Sequence, residues 1–333
     1  MVFITGATGL VGTRLVYDHV SQGIQVRALR RASSDMDEFY AVLRFYHQND
    51  DIDSLTERIE WVEGDLLDMA VHDTYLDGCA RCYHAAAIVS FHRRDHQKMY
   101  EVNVSGTAHM VNACLRAEIP LCHISSIAAL GRTAREGEFT EASVWKDSPY
   151  NSAYAKSKYR AEMEVWRGIE EGLKASIVNP SVVLGAGSAV RSSGALFGAV
   201  KEGMPFYTEG GTNIVDVRDV SEIAMRLMER QQYSERFILN SASLPYRSVL
   251  DSIADALGKR RPHIRVGSSA LNLLWRLNSL KDMIFRTKSK VTEETALSST
   301  TTYRYSNDKV KQRLDYSFIP WQDSVTYAAG YYR

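Results

Sequence analysis

Tyr154 and Lys158 carry the most chemistry in this chain. Four positions apart on a helix, they lie on one face. A tyrosine ionises at about 10, and a cation beside it favours the phenolate and lowers that value. Such a pair can deliver a proton to an oxygen that gains negative charge, as a carbonyl oxygen does on accepting hydride. Lys156 has the wrong spacing for this role. A neighbouring hydroxyl would hold the same oxygen. Two compete for that place, Ser125 and Ser126, at the end of the apolar run Leu121–Ser125.

A second set of residues suits a phosphate. Val2-Phe3-Ile4-Thr5 reads as a strand that runs straight into Gly6-Ala7-Thr8-Gly9-Leu10-Val11-Gly12 and on into an amphipathic helix. Gly6 permits a tight turn, Gly9 lets backbone approach a pyrophosphate, and Gly12 lets helix and strand pack closely. The helix start then turns free N–H groups and a positive dipole end toward the phosphates. Thr8, Leu10 and Val11 belong to the same cradle. An acidic residue about 20 positions on would bind a ribose 2′-hydroxyl, but the second strand ends Leu29-Arg30-Arg31. A guanidinium pairs instead with a 2′-phosphate. Arg30 and Arg31 therefore favour NADP(H) over NAD(H), unless they form a solvated loop.

The elements that must position these groups alternate. Strand patterns at Val2–Thr5, Gln25–Leu29, Ile59–Val62, Arg81–Ala85, Leu121–Ser125 and Ala175–Val178 are separated by helical ones. The helical patterns are Leu10–Gln22, Met36–Tyr46, Met69–Leu76, Gln97–Ala117 and Tyr154–Glu171. This predicts an α/β fold, a Rossmann-type doubly wound parallel sheet. In Gln97–Ala117 the spacing of Val102, Val104, Ala108, Val111 and Leu115 predicts one buried face. Ligands in such folds sit at the carboxyl ends of the strands. That rule brings in the small residues Ala85, Ala86 and Ala87, and Asn179, Pro180 and Ser181 at the nicotinamide end. Past residue 180, glycines crowd Gly185–Gly211, predicting loops, a mobile lid and a domain change. Residues 1–180, with later returns at about 212–240, would form a dinucleotide-binding domain. Residues 181–333 would be mainly a smaller mixed α/β lobe, with helices at Val220–Arg230, Ser248–Leu257 and Leu271–Leu277 and short strands at Ile214–Val217, Phe237–Leu239 and His263–Val266.

Composition removes other classes. Lys+Arg and Asp+Glu both number 40 in 333 residues, so no charge excess suggests a nucleic-acid partner. No apolar run is long enough for a membrane span. The first strand begins at residue 2, leaving no room for a signal peptide. The four cysteines, Cys79, Cys82, Cys114 and Cys122, fit a reducing cytoplasm, and no second pair completes a zinc site with Cys79 and Cys82. No metal is expected. His84 has no partner at ligand spacing and reads as a packing residue.

Taken in order, the Thr-Gly-x-x-Gly-x-x-Gly turn, His123-Ile124-Ser125-Ser126 and Tyr154-Ala155-Lys156-Ser157-Lys158 resemble the extended branch of the short-chain dehydrogenase/reductase superfamily. The likeness extends to the NAD-dependent epimerase/dehydratase family and, within the superfamily, to dihydroflavonol reductases and 3β-hydroxysteroid dehydrogenases. It covers about residues 1–240 well. The resemblance implies a Ser-Tyr-Lys site and selects Ser126, five residues before Gly131. It places Asp65 and Leu66 beside the adenine, and Asn103, in Asn103-Val104-Ser105-Gly106-Thr107, as a structural polar anchor near the sheet, grouped with the cofactor-binding residues. It further implies a C-terminal lobe over the substrate and a homodimer through helices near Gln97–Ala117 and Tyr154–Glu171.

Three functions then compete. The first is reduction of a small-molecule carbonyl compound to an alcohol by hydride transfer. The second is a nucleotide-sugar epimerase or dehydratase of the same fold, disfavoured by Ile127-Ala128 where dehydratases carry acids, and by Thr212-Asn213-Ile214 where sugar-nucleotide enzymes carry a diphosphate-binding arginine. The third, a non-catalytic cofactor-binding regulator, usually lacks the tyrosine or lysine. Phe91, Phe197, Phe206, Tyr207 and Trp275 either line a substrate pocket or fill the lobe's core.

Overall fold

Phe3 and Ile4 are adjacent and both inaccessible to solvent, yet they serve different cores. Ile4 joins Val26, Ala28, Ile124 and Val178 on one face, and Phe3 joins Leu29, Cys82, Leu121 and Ile177 on the other. A strand covered on both faces reads as a continuous apolar run. This explains why the strand-forming segments lack polar alternation. The structure, a computed structural model, describes residues 1–132, 137–267 and 302–333.

In chain order the described strands begin with β1 (Val2–Thr5), β2 (Val26–Arg30), β3 (Ile59–Glu63), β4 (Arg81–His84) and β5 (Leu121–Ile124). Next come β6 (Glu138–Phe139), β7 (Ala175–Pro180), β8 (Val182–Leu184), β9 (Phe206–Tyr207) and β10 (Gly211–Asp216). The last are β11 (Glu235–Leu239), β12 (Ala242–Pro245), β13 (Ile264–Arg265) and β14 (Arg304–Tyr305). The described helices are α1 (Leu10–Ser21), α2 (Met36–His47), α3 (Asp53–Thr56), α4 (Met69–Leu76), α5 (His96–Tyr100) and α6 (Gly106–Arg116). They continue with α7 (Ala153–Glu170), α8 (Gly194–Lys201), α9 (Val217–Glu229), α10 (Tyr246–Ala256), α11 (Asp308–Leu314) and α12 (Trp321–Tyr332).

The main sheet has seven strands in the order β11-β7-β5-β4-β1-β2-β3, and every pairing is parallel. Helices α1, α2 and α9 cover one face, and α4, α6 and α7 the other. The fold is the expected Rossmann type. Its strand order reverses between β1 and β4, which opens a crevice above their carboxyl ends. The remaining described strands form small sheets: β12-β10-β8, β13-β9 and β14-β6. Helices α8, α10 and α12 share a separate core with β8 and β10, built on Phe197, Val249, Ile253 and Val325. The chain returns to the main sheet with α9 and β11.

Two expectations are corrected. Gln97–Ala117 is not one helix: a π-helical turn, Glu101–Ser105, separates α5 from α6. The extra residue in that turn rotates the expected apolar face, so Val102, Val104, Ala108 and Leu115 are only partly buried while Asn103 and Thr107 face inward. The glycine-rich stretch is not wholly loop. It contains α8, in which a Cβ on Gly194 would lie 2.1 Å from the Ser188 carbonyl oxygen and one on Gly198 2.2 Å from that of Ala189. These glycines serve close packing. Phe237–Leu239, within the return expected at about 212–240, lies in the main sheet as part of β11. The expected helix Leu271–Leu277, with Trp275, lies outside the described residues.

Asn103 is a structural tie. Its Oδ1 accepts the Ile88 N–H at 2.7 Å, and its Nδ2 donates to the Ile88 carbonyl and to Ser157 Oγ, each at 3.0 Å. Asn103→Ala would leave those buried groups unpaired, a cost of about 1–3 kcal/mol. Urea unfolding checks this, and an unchanged midpoint would show that the tie is dispensable.

Candidate active site

A cavity of about 2330 Å³ lies over the carboxyl ends of the main sheet. The turn after β1 forms its floor. Gly6 has φ +66°, and a Cβ there would approach the Ala86 nitrogen to 2.6 Å. A Cβ on Gly12 would lie 2.0 Å from the Gly6 carbonyl oxygen, so α1 can start this close only with glycine. Gly9 is the N-cap of α1 and provides no capping side chain. A Cβ there would meet only the Gly6 carbonyl oxygen, at 3.2 Å. The first N–H groups of α1 therefore open onto the cavity wall built by Gly6, Thr8, Gly9, Leu10, Val11 and Gly12.

Neighbouring strands add their ends. Arg30 and Arg31 reach the wall from β2, Asp65 and Leu66 from β3, Ala85, Ala86 and Ala87 from β4, and Pro180 and Ser181 from β7. Arg30 also pairs with Glu63 at 3.3 Å, an acid that the strand-end reading overlooked. Asp65 folds its own loop by accepting the Leu67 N–H at 2.9 Å. Asp35 caps α2 by accepting the Glu38 N–H. An uncapped helix start, a backbone cradle and two arginines at the β2 end fit a phosphorylated dinucleotide.

Ser126, Tyr154 and Lys158 meet on the opposite wall. The Ser126 hydroxyl lies near enough to Tyr154 to act on its phenol in the lowering direction, and Ser126 Oγ accepts the Ala128 N–H at 3.1 Å. Ser125 faces away, donating to Glu162 Oε2 at 2.7 Å, as strand alternation requires. The Ser152 side chain caps α7 by accepting the Ala155 N–H, which starts the helix in register for Tyr154 and Lys158. The Lys158 ammonium is buried and donates to the Ile124 carbonyl at 2.9 Å. Burial lowers its pKa to about 8, against the raising effect of Glu162. Tyr154 departs from expectation. Burial raises its pKa above the ordinary value, and only Ser126 acts in the lowering direction.

Two candidates do not reach the cavity. Asn103 is the tie already described, and the Asn179 amide donates behind the wall to the Ser126 carbonyl at 3.0 Å and to Glu162 Oε2 at 2.7 Å. His84 is held between Thr5 Oγ1, at 2.7 Å, and Thr107 Oγ1, at 3.0 Å, a packing role. Sequence reasoning missed Glu162 and Arg236, which pair at 3.2 Å. The signal for Glu162 was its place one further turn beyond Lys158. Arg236, on β11, had none. On the substrate side, Phe91 meets the Tyr154 ring edge-on at 6.1 Å, and Phe206 and Tyr207 also line the cavity. Phe197 does not, being stacked on Tyr332 inside the lobe's core.

The chain is similar to known proteins. The sequence profile described as the NAD dependent epimerase/dehydratase family matches residues 2–239. A putative dihydroflavonol 4-reductase from Synechocystis is 32% identical over 270 residues, covering 78% of this chain and 73% of the relative. The cinnamoyl-CoA reductase CAD2 of Medicago truncatula is 22% identical over 75% of this chain and 78% of its own. The structure of the dTDP-glucose 4,6-dehydratase DesIV from Streptomyces venezuelae, with NAD and TYD bound, superposes with TM-score 0.77 at 17% identity. It covers 99% of this chain and 96% of its own, a likeness of fold. No described helix is long and apolar enough to cross a membrane.

The glycine geometry separates folding from binding. Gly12→Ala should cost about 1–3 kcal/mol, the usual range for overpacking. Gly9→Ala should fold normally and lose nicotinamide-cofactor affinity, because its methyl group enters the cavity. Thermal unfolding and cofactor titration of both variants check this, and equal loss of stability in the two would contradict it.

Proposed function

The chain belongs to the NAD dependent epimerase/dehydratase family, and we propose that it is an NADP(H)-dependent reductase that converts a small-molecule carbonyl compound to an alcohol. The observation that carries this is the convergence of Ser126 and Tyr154 at the cavity wall, with Lys158 one turn along the same helix as Tyr154. A bound nicotinamide would supply the hydride. Ser126 would hold the carbonyl oxygen, and Tyr154 would protonate it as charge develops. Lys158, buried beneath, would add its positive charge and bind the cofactor's ribose hydroxyls. The N–H groups at the start of α1 would hold the pyrophosphate, and Arg30 and Arg31 a 2′-phosphate.

Reduction with release is favoured over epimerisation for two reasons. Relatives at 32% and 22% identity are named as reductases, beside one at 28% named as a sterol demethylase protein. In addition, the residues after Ser126 are Ile127, which is buried, and Ala128, so no carboxylate stands there to eliminate water. Thr212 and Asn213 line the cavity where an arginine would anchor a diphosphate, and Asn213 is engaged with the Tyr303 carbonyl and Ser243.

NADPH should bind at least about tenfold more tightly than NADH, since a charge-assisted bond is worth about 1.5–3 kcal/mol. Arg31→Asp should remove that preference. Fluorescence titration reads both constants, and equal wild-type affinities would sink the assignment.

Tyr154→Phe should lower turnover about 10²–10⁴-fold with NADPH affinity retained. Lys158→Ala should damage both. A panel of aldehydes and ketones with NADPH tests this. Inversion of a substrate centre with no net change in nicotinamide absorbance would overturn the reductase assignment in favour of an epimerase.

A further inference from the structure

We propose that Glu162 is the positioning residue of this site: it fixes the strand ends that carry Ser126 and keeps the ammonium charge on Lys158. The proposal rests on the Ser126–Tyr154–Lys158 site described above. Glu162 lies one turn beyond Lys158 on α7, buried, and its hydrogen-bond partners are donors. Oε2 accepts from Ser125 Oγ and from Asn179 Nδ2, each at 2.7 Å. Oε1 accepts from Arg236 Nη1 at 3.2 Å and Trp166 Nε1 at 3.3 Å. The same Asn179 nitrogen donates to the Ser126 carbonyl at 3.0 Å. One carboxylate therefore ties together the ends of β5 and β7, reaches β11 through Arg236, and fixes the peptide that presents Ser126 to the cavity.

The electrostatic half follows from what faces Lys158. On α7 these groups are Tyr154 and Glu162. From β5 come the Ile124 carbonyl, which accepts a hydrogen bond from the ammonium, and His123, whose ring lies tilted against that of His84 of β4 at 5.3 Å. Neither His123 nitrogen has a partner, and burial holds its pKa far down, so it stays neutral. From β11, Arg236 faces Glu162 and is held in turn by the Glu141 and Ser143 carbonyls at 2.8 and 2.6 Å. Glu162 is then the anion that offsets the burial of Lys158, while Arg236 tempers it.

The test reads Lys158 directly and needs no substrate. Protein labelled with carbon-13 at the lysine ε position is titrated by NMR from neutral to alkaline pH, and the Lys158 signal is assigned by its loss in Lys158→Met. The wild-type midpoint should fall near 8. Glu162→Gln should lower it by about one unit, Glu162→Asp should hold it near the wild-type value, and Arg236→Gln should raise it by about half a unit. In turnover, the alkaline fall of kcat should move with the midpoint while KM changes little. A Glu162→Gln protein that is folded, by circular dichroism, with an unchanged midpoint would overturn the proposal. If that variant does not fold, an unchanged or lowered midpoint in Arg236→Gln overturns it. A shifted midpoint in a protein that reduces no carbonyl compound would uphold the role of Glu162 and reject the reductase reading, so the two fail separately.

Discussion

The site depends on how closely α1 can begin to the end of β1. The 2.0 Å that a Cβ on Gly12 would leave to the Gly6 carbonyl oxygen means that backbone packs on backbone there. Gly6 in turn approaches the Ala86 nitrogen past β4, so the same contact brings the ends of β1 and β4 together. Strand order reverses between these two strands, and a crevice must form above them. Any side chain at Gly12 would push the helix N-terminus away from that crevice. The cavity's phosphate-facing half is in this sense a consequence of one steric limit, and the rest of the sheet spreads outward from it.

The other half of the cavity is organised by buried polar groups that could not remain buried alone. Lys158, Glu162, Asn103, Asn179 and His84 are all nearly inaccessible. Each has partners at hydrogen-bond distance, which is the condition for tolerating such burial. The partners lie on different elements: Ile88 after β4, Ile124 on β5, Arg236 on β11. Tertiary structure is therefore written into the site, because Tyr154 and Ser126 keep their places only while the strands behind them keep theirs. The π-helical turn belongs to the same logic. It turns Asn103 and Thr107 inward, where apolar periodicity alone would have placed valines.

Much of this was legible in the sequence where local chemistry and backbone geometry coincide. The glycine spacing has a single steric meaning once a strand precedes it and a helix follows, and the Tyr154–Lys158 spacing fixes a shared helix face. The main strands were legible because burial on both faces produces unbroken apolar runs. What was not legible depends on partners distant in sequence. Arg236 acquires meaning only because β11 lies beside β7, and Glu162 only because Ser125 and Asn179 converge on it. The helix α8 was concealed by glycines that look like turn residues but serve close contact with Ser188 and Ala189. Trp321–Tyr332 was missed because its buried face, Val325, Ala328, Ala329 and Tyr332, is largely small residues.

A lysine on the same helix face as Tyr154 suggests a lowered phenol, yet the Lys158 ammonium is committed to the Ile124 carbonyl and burial dominates. A phenol raised above its ordinary value keeps its proton throughout neutral pH. Reduction of a carbonyl needs that proton present at the start, whereas oxidation of an alcohol needs a phenolate to receive one. Burial raises the Tyr154 phenol, and Ser126 acts in the lowering direction. The charge on Lys158 would then act chiefly as negative charge appears on the substrate oxygen and the departing proton leaves the tyrosine anionic. At that stage a nearby cation stabilises the developing phenolate and leaves the resting phenol protonated, so the same lysine can assist proton delivery without spending the proton beforehand.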